Sequence, residues 1–236
     1  MSETNNRTRV AILHLDMTEF WSGDVGLTLV SIALVILIFV ITPMREAGLP
    51  GRIFFDAIVV TLMISGALSM KQGRWTAVAV VTIAVISAAV LIAGRLHPSP
   101  SLRMVGSVLS TITLLLYVWV VLLVMFRSGP VTWSRIQGGI CAYLLLGMAW
   151  ASAYAMVEQA IPGAFSFVAR PADMDQLTAK LTYYSFAVLT TVGSDISPVH
   201  PFARSLTIAE SVVGQLYPAL LIGSLVALAM QARPKE

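Results

Sequence analysis

Charge is what this sequence lacks most. Only 11% of its 236 residues are charged, 57% are hydrophobic, and the mean hydropathy is +0.84. A soluble domain carries about a quarter charged residues, so the composition is that of an integral membrane protein. Cysteine is almost missing: Cys141 stands alone. No intrachain disulfide can form, and its place inside an apolar run reads as a buried, inert thiol. Histidine is confined to His14, His97 and His200, far apart and without companion cysteines, which excludes the usual metal-ligand spacings. There is no nucleophile–base pairing and no phosphate-binding glycine loop. The chain is therefore expected not to be an enzyme and to need no cofactor. A net charge of +3 and a pI near 9.2 could suggest nucleic acid. The basic residues, however, sit singly at the ends of apolar runs, where Lys and Arg anchor spans at the interface. A cleavable leader is not expected either: the first apolar run begins near Val25 and is long enough to stay in the membrane.

What is present is a series of apolar stretches. A hydrocarbon core of about 30 Å takes roughly 20 helical residues to cross. Six stretches qualify, at about 25–43, 52–70, 75–94, 104–126, 136–157 and 203–230. Residues 1–24 precede them, either as a short amphipathic helix on the membrane surface or as a tail. Pro43, Arg45, Glu46, Gly48, Pro50 and Gly51 read as a loop after the first span. Asp56, about a turn inside the second, reads as reaching the interface. Arg95, His97, Pro98, Pro100 and Arg103 read as the loop before the fourth. The fifth span is dotted with small residues, among them Gly138, Gly139, Ala142 and Gly147, which let helices approach closely in lipid. The sixth contains Glu210, Gly214 and Pro218; the last two are hinge candidates. The chain ends soon afterwards, at Glu236, so no soluble regulatory domain is expected beyond the membrane part. The 15 Lys and Arg residues divide almost evenly between the two sides and leave the orientation open.

Between the fifth and sixth spans, residues 176–190 are too short to cross and too apolar for an ordinary loop. Such a half-span is tolerated only when buried in protein or facing water, so a re-entrant segment is expected. It leads into Thr190, Thr191, Val192, Gly193, Ser194 and Asp195.

This stretch resembles the pore region of tetrameric potassium-channel-like cation channels, in which a pore helix is followed by Thr-Val-Gly-Tyr-Gly-Asp and an inner helix. The match is at Thr190, Thr191, Val192, Gly193 and Asp195. Where the family has Tyr-Gly, this chain has the single Ser194. The resemblance covers about residues 136–230.

It implies an all-α membrane protein with six transmembrane helices, a re-entrant pore helix and a filter loop, assembled as a homotetramer. The implied division is an N-terminal segment (1–24), a four-helix membrane region (25–126) and a pore domain (127–236). The implied location is a bacterial inner (plasma) membrane, with both termini cytoplasmic. The fourth span carries no ionisable residue, so a voltage sensor built on arginines every third residue is not expected.

The implied activity is cation conduction through carbonyl rings. Monovalent cations would bind at Thr191, Val192, Gly193 and Ser194, with the Val192 side chain turned away to pack. Potassium is the implied permeant ion. Sodium is the second, because Ser194 supplies no aromatic cuff and weakens the discrimination. Thr190, Tyr184, Asp195 and Glu210 are the filter supports. Asp195 is expected to bond the pore helix or concentrate cations at the mouth, and Glu210 to brace the filter from behind. Tyr183 and Phe186 could also brace it. Two other readings stay open: a channel-derived sensor or scaffold that does not conduct, and a secondary transporter with a broken helix.

Overall fold

The structure, a computed structural model, describes residues 24–49, 82, 85–86, 89–90, 93, 99–125 and 133–231. The expectations for residues 1–23, Asp56, His97 and the second and third spans lie outside the described residues, apart from the few isolated positions between 82 and 93.

The first helix begins as α1 (Asp24–Ile36), widens into a π turn (Leu37–Ile41), and continues as α2 (Thr42–Glu46). Pro43 explains the widening. It has no N–H, and its ring crowds the carbonyl four residues back. The helix loosens locally, as π-bulges do, and the Thr42 N–H and hydroxyl both reach the Leu37 carbonyl, the latter at 2.9 Å. The stretch from Pro43, expected as loop, is therefore helical through Glu46. Gly48 then closes the end with φ +74°. A second boundary also moves. Ser99 caps the next helix by accepting the Leu102 N–H at 3.1 Å. Pro100 and Arg103, expected as loop, belong to α3 (Pro100–Met125). Proline is well placed in a first turn, where its missing N–H would have had no helical partner.

α4 (Trp133–Ala160), α5 (Met174–Leu189) and α6 (Pro201–Gln231) complete the helices. A two-residue ladder joins β1 (Phe165–Ser166) to β2 (Ser197–Pro198), antiparallel, the one non-helical pairing among the described residues. Among the described residues, three helices are long and apolar enough to cross a membrane: Met104–Leu123, Arg135–Ala160 and Pro201–Ala227. The expected count of six rests partly on residues outside those described.

Polar pairs set the helix directions. Thr28 bonds Gln137 and Ser31 bonds Cys141, so α1 runs parallel to α4. Thr111 bonds Ser152 and Ser107 bonds Gln159, so α3 runs antiparallel to it. Gly147 lets its neighbour close in: a Cβ there would lie 2.6 Å from the Phe186 ring. The core has two clusters. One joins Leu34, Leu37, Ile38 and Ile41 to Tyr117, Val118, Leu144 and Met148. The other gathers Tyr154, Phe165, Leu177, Leu181, Tyr184 and Ile196 behind the segment that follows α5.

Candidate functional site

α5 starts where the sequence supplies a reciprocal cap. The Asp173 carboxylate accepts the Gln176 N–H at 2.8 Å, and the Gln176 carboxamide accepts the Ala172 N–H at 2.9 Å. This satisfies donors that the first helical turn leaves free. Asp175 adds a negative charge at the positive end of the helix dipole. Arg45, buried at the end of the first helix, donates to Asp175 at 2.9 Å, and Lys180 lies 3.4 Å from Glu46. Two ion pairs thus hold the start of α5 to α2.

The expected half-span, 176–190, is α5 with its cap at Thr190. The helix goes inward only as far as Leu189, whose carbonyl meets the hydroxyl of Tyr143, near the middle of α4, at 3.1 Å. The chain then turns back. β2 pairs with β1, and the Val199 N–H reaches the Ala164 carbonyl at 2.8 Å. Residues 174–199 therefore form a hairpin that starts and finishes at the same end of the bundle.

The turn at the inner end of the hairpin can be accounted for group by group. The last four carbonyls of α5 all have donors. Phe186 accepts the Thr190 N–H, Ala187 those of Val192 and Gly193, Val188 that of Thr191, and Leu189 the Tyr143 hydroxyl. The bonds from Val192 to Ala187 and from Thr191 to Val188 make a Schellman cap. Its left-handed position, where glycine is usual, is filled by Thr191 at φ +60°; Gly193 follows at φ +89°. A β-branched residue with positive φ is a genuine outlier and stores about 1–3 kcal/mol, a cost found mostly at functional sites. The N–H groups of 190–193 all point back into the helix, while the carbonyls of Thr191, Val192 and Gly193 accept no hydrogen bond among the described residues. Thr190, Thr191, Val192 and Gly193 are exposed.

Behind the turn lies a buried polar layer. Glu210, wholly buried on α6, accepts from the Tyr154 hydroxyl and lies 2.5 Å from the Ser185 hydroxyl, which also reaches the Gly147 carbonyl at 2.7 Å. Tyr184 bonds Thr207 at 2.8 Å and stacks edge-on with Tyr154 and Phe165, with ring centroids 5.2 and 5.5 Å away. Gly214 brings the α6 backbone against the turn: a Cβ there would sit 2.4 Å from the Leu189 carbonyl oxygen. Pro218, four residues on, leaves the Gly214 carbonyl without its helical donor, yet α6 continues unbroken to Gln231.

The sequence-derived residues divide accordingly. Thr190 through Ser194 form the turn, and Tyr184, Glu210 and Gly214 stand behind it. Of the two expectations for Asp195, the bond to the pore helix is not made among the described residues: Asp195 is exposed and lies 3.5 Å from the Ser194 hydroxyl, because the chain returning from the turn carries it outward past the helix. Val192, expected to pack, is 81% exposed, and Tyr183 is 48% exposed and faces away from the layer. Phe186 does pack, into the hollow left by Gly147. Tyr143, Tyr154, Ser185, Thr207 and the Arg45–Asp175 pair were not singled out from sequence. A polar residue inside an apolar run was the one available signal.

Residues 142–231, which span most of α4 and all of α5 and α6, match a family model described as "Ion channel", a two-span, potassium-channel-like domain. No curated protein and no solved structure matched the chain. The matched segment contains the whole hairpin, and with the apolar helices it supports an ion channel that is an integral membrane protein.

Proposed function

We propose that the chain is a pore-loop cation channel that conducts potassium with reduced discrimination against sodium. Four copies surround one axis, and Thr191, Val192, Gly193 and Ser194 of each line the narrow part. One observation carries this reading. At the inner end of a half-span hairpin, three successive residues are exposed and their carbonyls have no donor among the described residues, while their N–H groups are turned back into α5. A cation shedding water needs such oxygens, and a ring of them supplies coordination without fixed charge. One turn cannot encircle an ion, which is the argument for four copies. Glu210, Tyr184 and Thr190 hold the turn in place, and Asp195 at the mouth raises the local cation concentration. The location proposed is a bacterial inner membrane with cytoplasmic termini.

The reduced selectivity follows from Ser194. The hairpin returns outward through one residue where the resembled family has two, so one carbonyl ring and an aromatic brace are missing. The Ser194 hydroxyl is instead occupied locally, accepting the Ile196 N–H at 3.1 Å.

The test is the reversal potential of the protein in planar bilayers, with potassium on one side and sodium on the other. Current reversing near zero is expected. Replacing Ser194 with Tyr-Gly should move it toward the potassium equilibrium value; each tenfold gain in permeability ratio corresponds to about 1.4 kcal/mol. Reversal near the potassium value in the unaltered protein would remove the reduced-selectivity reading. Absence of current from a folded tetramer, under every gating stimulus tried, would remove conduction.

A further inference from the structure

The oxygens around Glu210 outnumber the protons that hydroxyl groups can place between them. Three close contacts run in a line from α4 through α6 to α5 and back to α4: Tyr154 hydroxyl to Glu210, Glu210 to Ser185 hydroxyl at 2.5 Å, and Ser185 hydroxyl to the Gly147 carbonyl at 2.7 Å. Each contact needs one proton. A tyrosine and a serine hydroxyl carry one each, and a backbone carbonyl carries none. With Glu210 ionised there are two protons for three contacts. Either Ser185 and Gly147 or Ser185 and Glu210 would then face each other lone pair to lone pair. With Glu210 as a carboxylic acid the count closes. Tyr154 donates to Oε2, the acid donates from Oε1 to the Ser185 oxygen, and Ser185 donates to the Gly147 carbonyl.

Charge leads to the same assignment. Tyr154, Ser185 and Glu210 are each wholly buried, and among the described residues no Lys, Arg or His forms an ion pair with Glu210. The titratable neighbours are Tyr154 and, further along, Tyr143 from α4, and Tyr184 from α5; none supplies a positive charge. Tyr184 cannot supply the missing proton either, because it bonds Thr207, whose own hydroxyl is 2.9 Å from the Ala203 carbonyl.

We propose that Glu210 is held as a carboxylic acid that donates to Ser185, a proton-ordered bolt joining α4, α5 and α6 directly behind the Thr190–Ser194 turn. Glu210 is thus a positioning residue, acting on the turn through Ser185. Its protonation is independent of conduction, while its effect on selectivity rests on the channel reading above.

Infrared difference spectroscopy on the full chain in lipid separates the two. The unaltered protein should show a carboxylic-acid carbonyl band that shifts in deuterium oxide and disappears in Glu210→Gln. If only carboxylate bands are lost in that variant, the proposal is overturned. Glutamine keeps both roles, with its amide N–H donating to Ser185 and its oxygen accepting from Tyr154. Glu210→Gln should therefore assemble and reverse at the same potential as the unaltered protein, whereas Glu210→Ala and Ser185→Ala shift it. A Glu210→Gln that fails to assemble, or that shifts as far as Glu210→Ala, shows that a carboxylate is required and equally overturns the proposal. If the unaltered protein passes no current, the infrared result still decides the protonation by itself.

Discussion

Two single residues place the turn, and they do so in opposite ways. Gly214 is there for space: its Cα lies against the Leu189 carbonyl, and a methyl group would overlap the oxygen at 2.4 Å. Its role as a contact point adds to the hinge expected from sequence. Gly214→Ala should lower the thermal midpoint in detergent by the equivalent of about 1–3 kcal/mol, the range for overpacking. A neutral result would mean that α6 moves freely away from α5. Thr191 is there despite its conformation. It occupies a left-handed cap position with φ +60°, which glycine would fill without steric cost. Thr191→Gly should raise stability by about 1 kcal/mol while removing a hydroxyl from the proposed ion path. If instead that variant is less stable, strain is not what distinguishes the position.

At the scale of the element, α5 is secured from three sides. Its start is tied to α2 by Arg45–Asp175 and Lys180–Glu46. Its middle is tied to α4 and α6 through Ser185 and Tyr184, and its end is tied to α4 by Tyr143. The first pair is the stronger one, since Arg45 is buried and Asp175 is about a third exposed. Asp175→Asn should cost roughly 1–3 kcal/mol, the range for a hydrogen bond to a charged group with part of the charge left unpaired. The double exchange Arg45→Asp with Asp175→Arg should recover part of it. No recovery, measured as thermal midpoint, would indicate that the contact matters for shape and not for charge. The Lys180–Glu46 pair is longer and more exposed and should matter less. Through these pairs the first helix holds the start of α5, although it lies 130 residues away in sequence.

At the scale of the molecule, burial is uneven. α4 is enclosed by its neighbours, whereas α6 leaves Ile208, Val212, Leu216 and Leu220 exposed at four-residue intervals, with exposures of 65, 51, 54 and 66%. Such a stripe on a membrane helix meets lipid or another subunit. On the proposed reading, in which four copies share one axis, the expected species in gentle detergent is a tetramer. Native mass spectrometry reads this directly; a monomer that still conducts would sink the shared-axis reading.

Local properties were legible without the structure. Hydropathy and length are carried by neighbouring residues, so the membrane class, the fourth, fifth and sixth spans and the half-span before Thr190 could be read from the chain, as could the Thr-Thr-Val-Gly turn. Helix ends were less legible. Pro43 and Pro100 look like breaks, yet a π turn absorbs one and a first helical turn accommodates the other. Partnership was not legible at all. Glu210 meets Tyr154 and Ser185 across 56 and 25 residues of sequence, and Arg45 meets Asp175 across 130. The reason is physical. In lipid a helix can be apolar on every side, so no polar face marks the surface that packs. Which carboxylate faces which hydroxyl is decided only when the helices are set against one another. The sequence by itself determined which described segments are long and apolar enough for a membrane and where the chain turns back. The tertiary structure decided what holds that turn.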